Sequence, residues 1–215
     1  MKNMKIRFPM YLLGLFIVTI GVAISVKANL GVAPVSSIPY AMTCVWGIEM
    51  GKATIIFYIF LILLQLIILR KKVKLATFLQ LAIGIVFGYF TTFSNWCMTY
   101  LPQVESMTIR LVMMLVSVFF IALGLFFYIP ANILPIPPDG TTQNIAMITG
   151  REFSRVKVVF DIFLVVIALI ICLMTIKSPG SVGIGTAVAA VMVGTTLGWI
   201  NKFFGKWRDM LYNKQ

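Results

Sequence analysis

Acidic residues are scarce in this chain, six among 215, so those set in or beside apolar runs stand out. Asp139 lies between Pro138 and Gly140, directly before the short helical pattern Thr141 to Ile148. A carboxylate there has two uses: it can cap orphan N–H groups at the helix start, or it can hold an ion or proton at a half-helix tip. Asp161 lies inside an apolar run, one helical turn past Lys157 and on the same face. Facing lipid at full depth it would cost about 2.5–3.5 kcal/mol. It should therefore face a protein interior or pair with Lys157. Around these acids sit uncharged polar groups: Gly140, Thr141, Thr142, Gln143 and Asn144 follow Asp139, and Ser36, Ser37 and Tyr40 occupy a similar break near the start of the chain. Hydroxyls and free N–H groups at such tips can receive a polar or anionic group.

Other chemistry is poorly served. With no His, the Ser-His, Cys-His and His-containing metal arrangements are excluded, and there is no P-loop. Gly183-Ile184-Gly185-Thr186 lacks the strand-turn-helix setting of a dinucleotide site. Cys44, Cys97 and Cys172 make no CxxC pair and lie in or beside apolar segments, where a thiol behaves as a small hydrophobe. The expectation is a protein that is no enzyme and uses no cofactor or metal.

The elements that must position these residues are membrane helices. The chain is 60% hydrophobic and 11% charged, with a mean hydropathy of +1.02. Runs of about 20 apolar residues, long enough to cross the hydrocarbon core as helix, recur along its length. Six crossings are expected, at about 8–26, 53–69, 75–93, 107–129, 158–176 and 181–200, with half-helices at 35–46 and 141–148 and a cytoplasmic tail at 205–215. The run 8–26 competes with a signal peptide, but it exceeds the usual apolar length of one and is read as a retained helix. Between 29 and 51, Gly31, Pro34, Pro39 and Gly47 cut the chain, so Val35 to Trp46 suits a re-entrant half-helix whose first turn Ser36 or Ser37 could cap.

The net charge of +12 reflects where the basic residues fall rather than nucleic-acid binding. With both termini cytoplasmic, 14 of the 18 Lys and Arg residues lie inside, and only Lys27, Lys52, Arg110 and Lys177 lie outside. Had 35–46 crossed fully, the N-terminal basic cluster and Arg70-Lys71-Lys72 would occupy opposite faces. The charge pattern thus favours re-entry.

The two breaks are copies of each other. Shifting the numbering by 103 aligns residues 21–68 with 124–171 without gaps, and 13 of the 48 positions are identical. They include Gly21/Gly124, Ala28/Ala131, Asn29/Asn132, Pro34/Pro137, Gly47/Gly150 and Glu49/Glu152. Apolar bias does not produce shared Gly, Pro, Asn and Glu, so the chain reads as a duplication: a first repeat at 1–100 and a second at 107–204. Three crossings per repeat is an odd number, so the second repeat enters the membrane inverted. Such repeats place a site at the midplane, where broken helices of both halves meet. Asn29 and Asn132 end the first helix of each half, as left-handed caps or as part of a substrate path. Glu49 with Lys52, and Glu152 with Arg155, recur as interfacial ion pairs, and Gly84-x-x-x-Gly88 with Gly194-x-x-x-Gly198 as packing motifs.

Residues 26–40 (VKANLGVAPVSSIPY), 51–54 (GKAT), 137–140 (PPDG), 157–161 (KVVFD) and 182–186 (VGIGT) resemble the YczE/YyaS/YitT group of small bacterial integral membrane proteins over nearly the whole chain. The resemblance implies a multi-pass protein of the bacterial cytoplasmic membrane and says little of substrate. Relatives often carry a basic residue before the Asp-Gly pair, where this chain has Pro138.

The sequence therefore predicts an all-α membrane protein that carries an unidentified small polar or ionic solute as transporter or channel. Its partners are the bilayer, that solute and, given its small size, a second copy of itself. The competing readings are a binding subunit of an ATP-driven vitamin-type uptake system, which needs no inverted repeat, and a regulatory membrane protein with no substrate.

Overall fold

The computed structural model describes residues 4–70, 73 and 75–213. Of the basic residues counted above, Lys2, Lys71, Lys72, Lys74 and Lys214 lie outside the described residues. The described residues form eight α-helices and a 3-10 turn: α1 Met4–Ala28, the turn Pro34–Ser36, α2 Ser37–Trp46, α3 Met50–Leu69, α4 Leu75–Thr99, α5 Met107–Ala131, α6 Pro137–Thr149, α7 Phe153–Ile176 and α8 Ile184–Asn213. Six of them, α1, α3, α4, α5, α7 and α8, are long and apolar enough to cross a membrane.

Element ends follow the duplication. α1 and α5 both stop at an Ala followed by a left-handed Asn, Asn29 at φ 52° and Asn132 at φ 48°. α2 and α6 both end on a left-handed Gly, Gly47 at φ 67° and Gly150 at φ 64°, a conformation that spares Gly the Cβ penalty. Glu49 and Glu152 occupy the N-cap positions of α3 and α7. Burial agrees as well: Phe57 and Leu61, like Phe160 and Leu164, are buried, while Ile59 and Phe60, like Ile162 and Phe163, are exposed. In a membrane protein those outward apolar faces meet lipid.

Several expected details change. α6 begins at Pro137 rather than Thr141, because Pro137 and Pro138 have φ preset for a first turn. Ile136 is therefore the N-cap, and Asp139 sits inside the first turn instead of capping it. Ser36 holds the N-cap position of α2 but makes no side-chain capping bond. Glu49 accepts from the N–H of Gly51 at 2.8 Å and of Lys52 at 3.2 Å, and from Thr92 Oγ1 at 3.0 Å. It caps α3, whereas Glu152 pairs with Arg155 at 3.5 Å on an exposed surface. A Cβ placed on Gly194 or Gly198 would meet nothing within 4 Å, so that Gly-x-x-x-Gly pair packs no helix here. Among the described residues, α8 continues past residue 204 to Asn213, burying Arg208 and Tyr212.

Two compact units form, and each draws on both sequence repeats: Met1–Ala33, Phe93–Ile133 and Ile184–Gln215 make one, Pro34–Thr92 and Leu134–Gly183 the other. In the first unit α1 and α5 cross closely. A Cβ on Gly21 would meet Ser117 and Ile121, and one on Gly124 would meet Gly14 and Val18. The shift of 103 carries residue 14 to 117 and residue 18 to 121, so these two contacts are images of each other. As α1 advances from residue 14 to 21 its neighbours on α5 retreat from 124–128 to 117–121, so the helices run antiparallel.

α8 closes the end of this unit. Pro130 has no N–H to give the Phe126 carbonyl four residues earlier, and Arg208 Nη1 donates to that oxygen at 3.3 Å while its guanidinium lies 4.6 Å from the Phe126 ring centroid. Tyr212 Oη donates to the Phe127 carbonyl at 2.7 Å. In the second unit, α2 packs on α7 and α6 packs on α3, again reciprocal partners under the shift.

Candidate charged and amide site

The second unit brings most of the polar candidates together. α6 carries Asp139 in its first turn and lies against α7, which carries Lys157 and Asp161 one turn apart. Lys157 Nζ stands between the two acids, 2.9 Å from Asp161 Oδ1 and 3.5 Å from Asp139 Oδ1. All three side chains are roughly three-quarters buried, at 21–24% exposure, and the two carboxylates converge on one ammonium. Near the middle of α3, the fully buried Tyr58 phenol lies close enough to Asp139 to feel its charge.

Two turns further along α3, Gln65 anchors an uncharged network. Its Nε2 donates to Gln80 Oε1 at 3.1 Å, to Thr141 Oγ1 at 3.1 Å and to the Pro137 carbonyl at 3.2 Å, and its Oε1 accepts from Asn144 Nδ2 at 2.9 Å. Gly140 leaves room for the Gln80 amide, which a Cβ there would strike. Thr141 and Thr142 return their hydroxyls to the Pro137 and Pro138 carbonyls at 2.8 and 2.9 Å. Buried polar groups of this kind persist only when paired.

The remaining candidates fall elsewhere. Ser37 and Tyr40 are buried on α2, Tyr40 hydrogen-bonded to Cys44, whereas Ser36 is half-buried. Gln143 points outward from α6. Asn29 and Asn132 are exposed, and their backbone serves as the C-cap of α1 and α5. The structure thus unites Asp139, Gly140, Thr141, Asn144, Lys157 and Asp161, and adds Tyr58, Gln65 and Gln80, which the sequence reading passed over. Gln65 could have been found: it is the one amide in the apolar run Ala53–Leu69.

A protein-family profile matches residues 5–202, which carry every residue of this site. The chain belongs to the Family of unknown function (DUF6198). It is also similar to the "Uncharacterized membrane protein YczE" of Bacillus subtilis (strain 168), 22% identical over 197 residues that cover 91% of this chain and 86% of the relative. The resemblance read from the motifs is borne out. No solved structure matches. This DUF6198 chain is therefore a membrane protein of a family whose function is undefined.

Proposed function

We propose that this protein carries a small polar or ionic solute across the bacterial cytoplasmic membrane, using the charged and amide site on α3, α4, α6 and α7. The observation that carries the reading is Asp139–Lys157–Asp161: three charges, mostly buried, on a half-helix and a spanning helix of an otherwise apolar chain. Ionisable groups at membrane depth are costly and face bundle interiors or solute paths. A structural ion pair needs one acid for one lysine. Here a second carboxylate, from another helix, converges on the same ammonium.

In this reading the two repeats lie inverted, with both termini cytoplasmic and α2 and α6 as re-entrant half-helices entering from opposite faces. The antiparallel crossing of α1 and α5, and the reciprocal pairing of α2 with α7 and α6 with α3, support it. Inverted repeats with broken helices are the architecture in which transporters assemble a site between halves.

The test is counterflow of labelled small polar and ionic solutes into proteoliposomes without nucleotide. Wild-type flux that is lost in Asp161→Asn, with the variant still folded, supports transport. Equal flux in Asp161→Asn would refute the role of that residue. Tight binding without flux would instead identify an uptake subunit, and neither binding nor flux a regulatory protein.

A further inference from the structure

The duplication supplies an internal control for the helix contacts of the second unit. Where α2 meets α7, Ala41, Ala168 and Cys172 form a fully buried cluster, with Ile38 packed against it. Applying the shift of 103 to each residue, 38 to 141, 41 to 144, 168 to 65 and 172 to 69, gives Thr141, Asn144, Gln65 and Leu69. Three of these four make up the network that joins α6 to α3. The same helix contact is thus built twice, once from aliphatic side chains and a thiol and once mainly from amides and a hydroxyl. Burying polar groups costs free energy that their mutual hydrogen bonds only offset, and fixing a Gln side chain costs rotamer entropy. The apolar copy demonstrates that the packing does not need them.

We propose that Gln65, Thr141 and Asn144, with Gln80 behind them, determine specificity in the transport site: they receive a neutral hydrogen-bonding group of the solute, an amide or hydroxyl, while Asp139, Lys157 and Asp161 receive its charged group. The inference rests on the transport reading above. An amide offers a donor and an acceptor on one plane, so an incoming amide or hydroxyl can replace the Asn144–Gln65 bond and leave no polar atom unpaired. The two parts of the site are contiguous. Asp139 and Thr141 share one turn of α6, the Gln80 amide lies over Gly140, and Tyr58 and Gln65 lie two turns apart on α3. The solute class is a small organic molecule with both a charge and a hydrogen-bonding arm. A bare inorganic ion would leave the amides without a purpose.

The test transplants the apolar copy into the polar one, as Gln65→Ala/Thr141→Ile/Asn144→Ala. Proteoliposomes of phosphatidylethanolamine and phosphatidylglycerol are assayed for uptake of labelled probe pairs matched in charge, with and without the arm: choline against tetramethylammonium, lactate against propionate, serine against alanine. Wild type should take the hydroxyl member of at least one pair at least tenfold faster. The transplant should remain folded and lose that preference, and Asn144→Ala alone should weaken it. A transplant that folds and keeps the preference overturns the inference, as does a transplant that fails to fold while Asn144→Ala keeps it, since the amides are then structural. If Asp161→Asn abolishes flux in either case, the transport reading survives without this one. If wild type moves no probe, both fall together.

Discussion

Lys157 holds two acids at once, at 2.9 and 3.5 Å, and what each member contributes depends on what is left behind when it is removed. Replacing Lys157 with Met takes from two mostly buried carboxylates the ammonium they share, and breaking such a pair costs about 3 kcal/mol or more. Adding Asp161→Asn to Lys157→Met should recover part of that loss, and reversible unfolding in mixed micelles measures both steps. If the double variant is no more stable than Lys157→Met, the three groups are not coupled. Asp139, Lys157 and Asp161 were legible in the sequence because a charge in an apolar run is expensive enough to demand a partner. Gln65 and Gln80 were less plain, because a neutral amide costs less to bury than a charge and does not by itself demand a partner of opposite sign, although Gln65 stands out as the one amide in its apolar run. Tyr58 reads simply as one more aromatic in a lipid-facing helix, although it is buried beside Asp139.

α1, α2, α5 and α6 stop where Gly or Asn accepts left-handed backbone, which is why those ends were close to legible and the start of α6 was not. Pro137 and Pro138 looked like the break itself but serve as its first helical turn. The helical continuation of α8 was not legible, since Lys202, Lys206 and Arg208 resemble a basic tail, and only the fold reveals that Arg208 takes the carbonyl orphaned by Pro130. Arg208→Leu should therefore lower stability by about 1–3 kcal/mol, the range for an unsatisfied buried polar group. Pro130→Ala restores an N–H that can reach the same oxygen, so the double variant should lose less than Arg208→Leu alone. Additive losses would show that Arg208 acts elsewhere. At the α1–α5 crossing, Gly124→Val places a methyl group against the Gly14 carbonyl, 2.6 Å from where its Cβ must sit. Backbone cannot yield as a flexible side chain does, so that variant should fail to accumulate as folded protein, whereas Gly198→Val, with open space around it, should be neutral. Equal yields of the two would contradict the close crossing.

At the scale of the whole molecule, the helix contacts of the second unit come in two versions: an apolar one around Ala41, Ala168 and Cys172, and a polar, charged one around Gln65, Asn144, Asp139 and Asp161. The duplication was legible because Gly, Pro, Asn and Glu recur at a fixed shift. How the copies interleave was not, since each compact unit takes helices from both repeats and sequence order says nothing of that exchange. The central claim is that the repeats lie inverted across the bilayer. Gly47 and Gly150 are equivalent, exposed, left-handed ends of α2 and α6, and a Cβ at either would meet nothing within 4 Å, so each can be replaced by Cys, with the left-handed strain as the only penalty, in a chain whose native cysteines are changed to Ala or Ser. Labelling intact cells with a membrane-impermeant maleimide is the most direct measurement. With the repeats inverted, Gly47→Cys is modified from outside while Gly150→Cys is modified only after the membrane is opened. Labelling of both positions from the same side would contradict it.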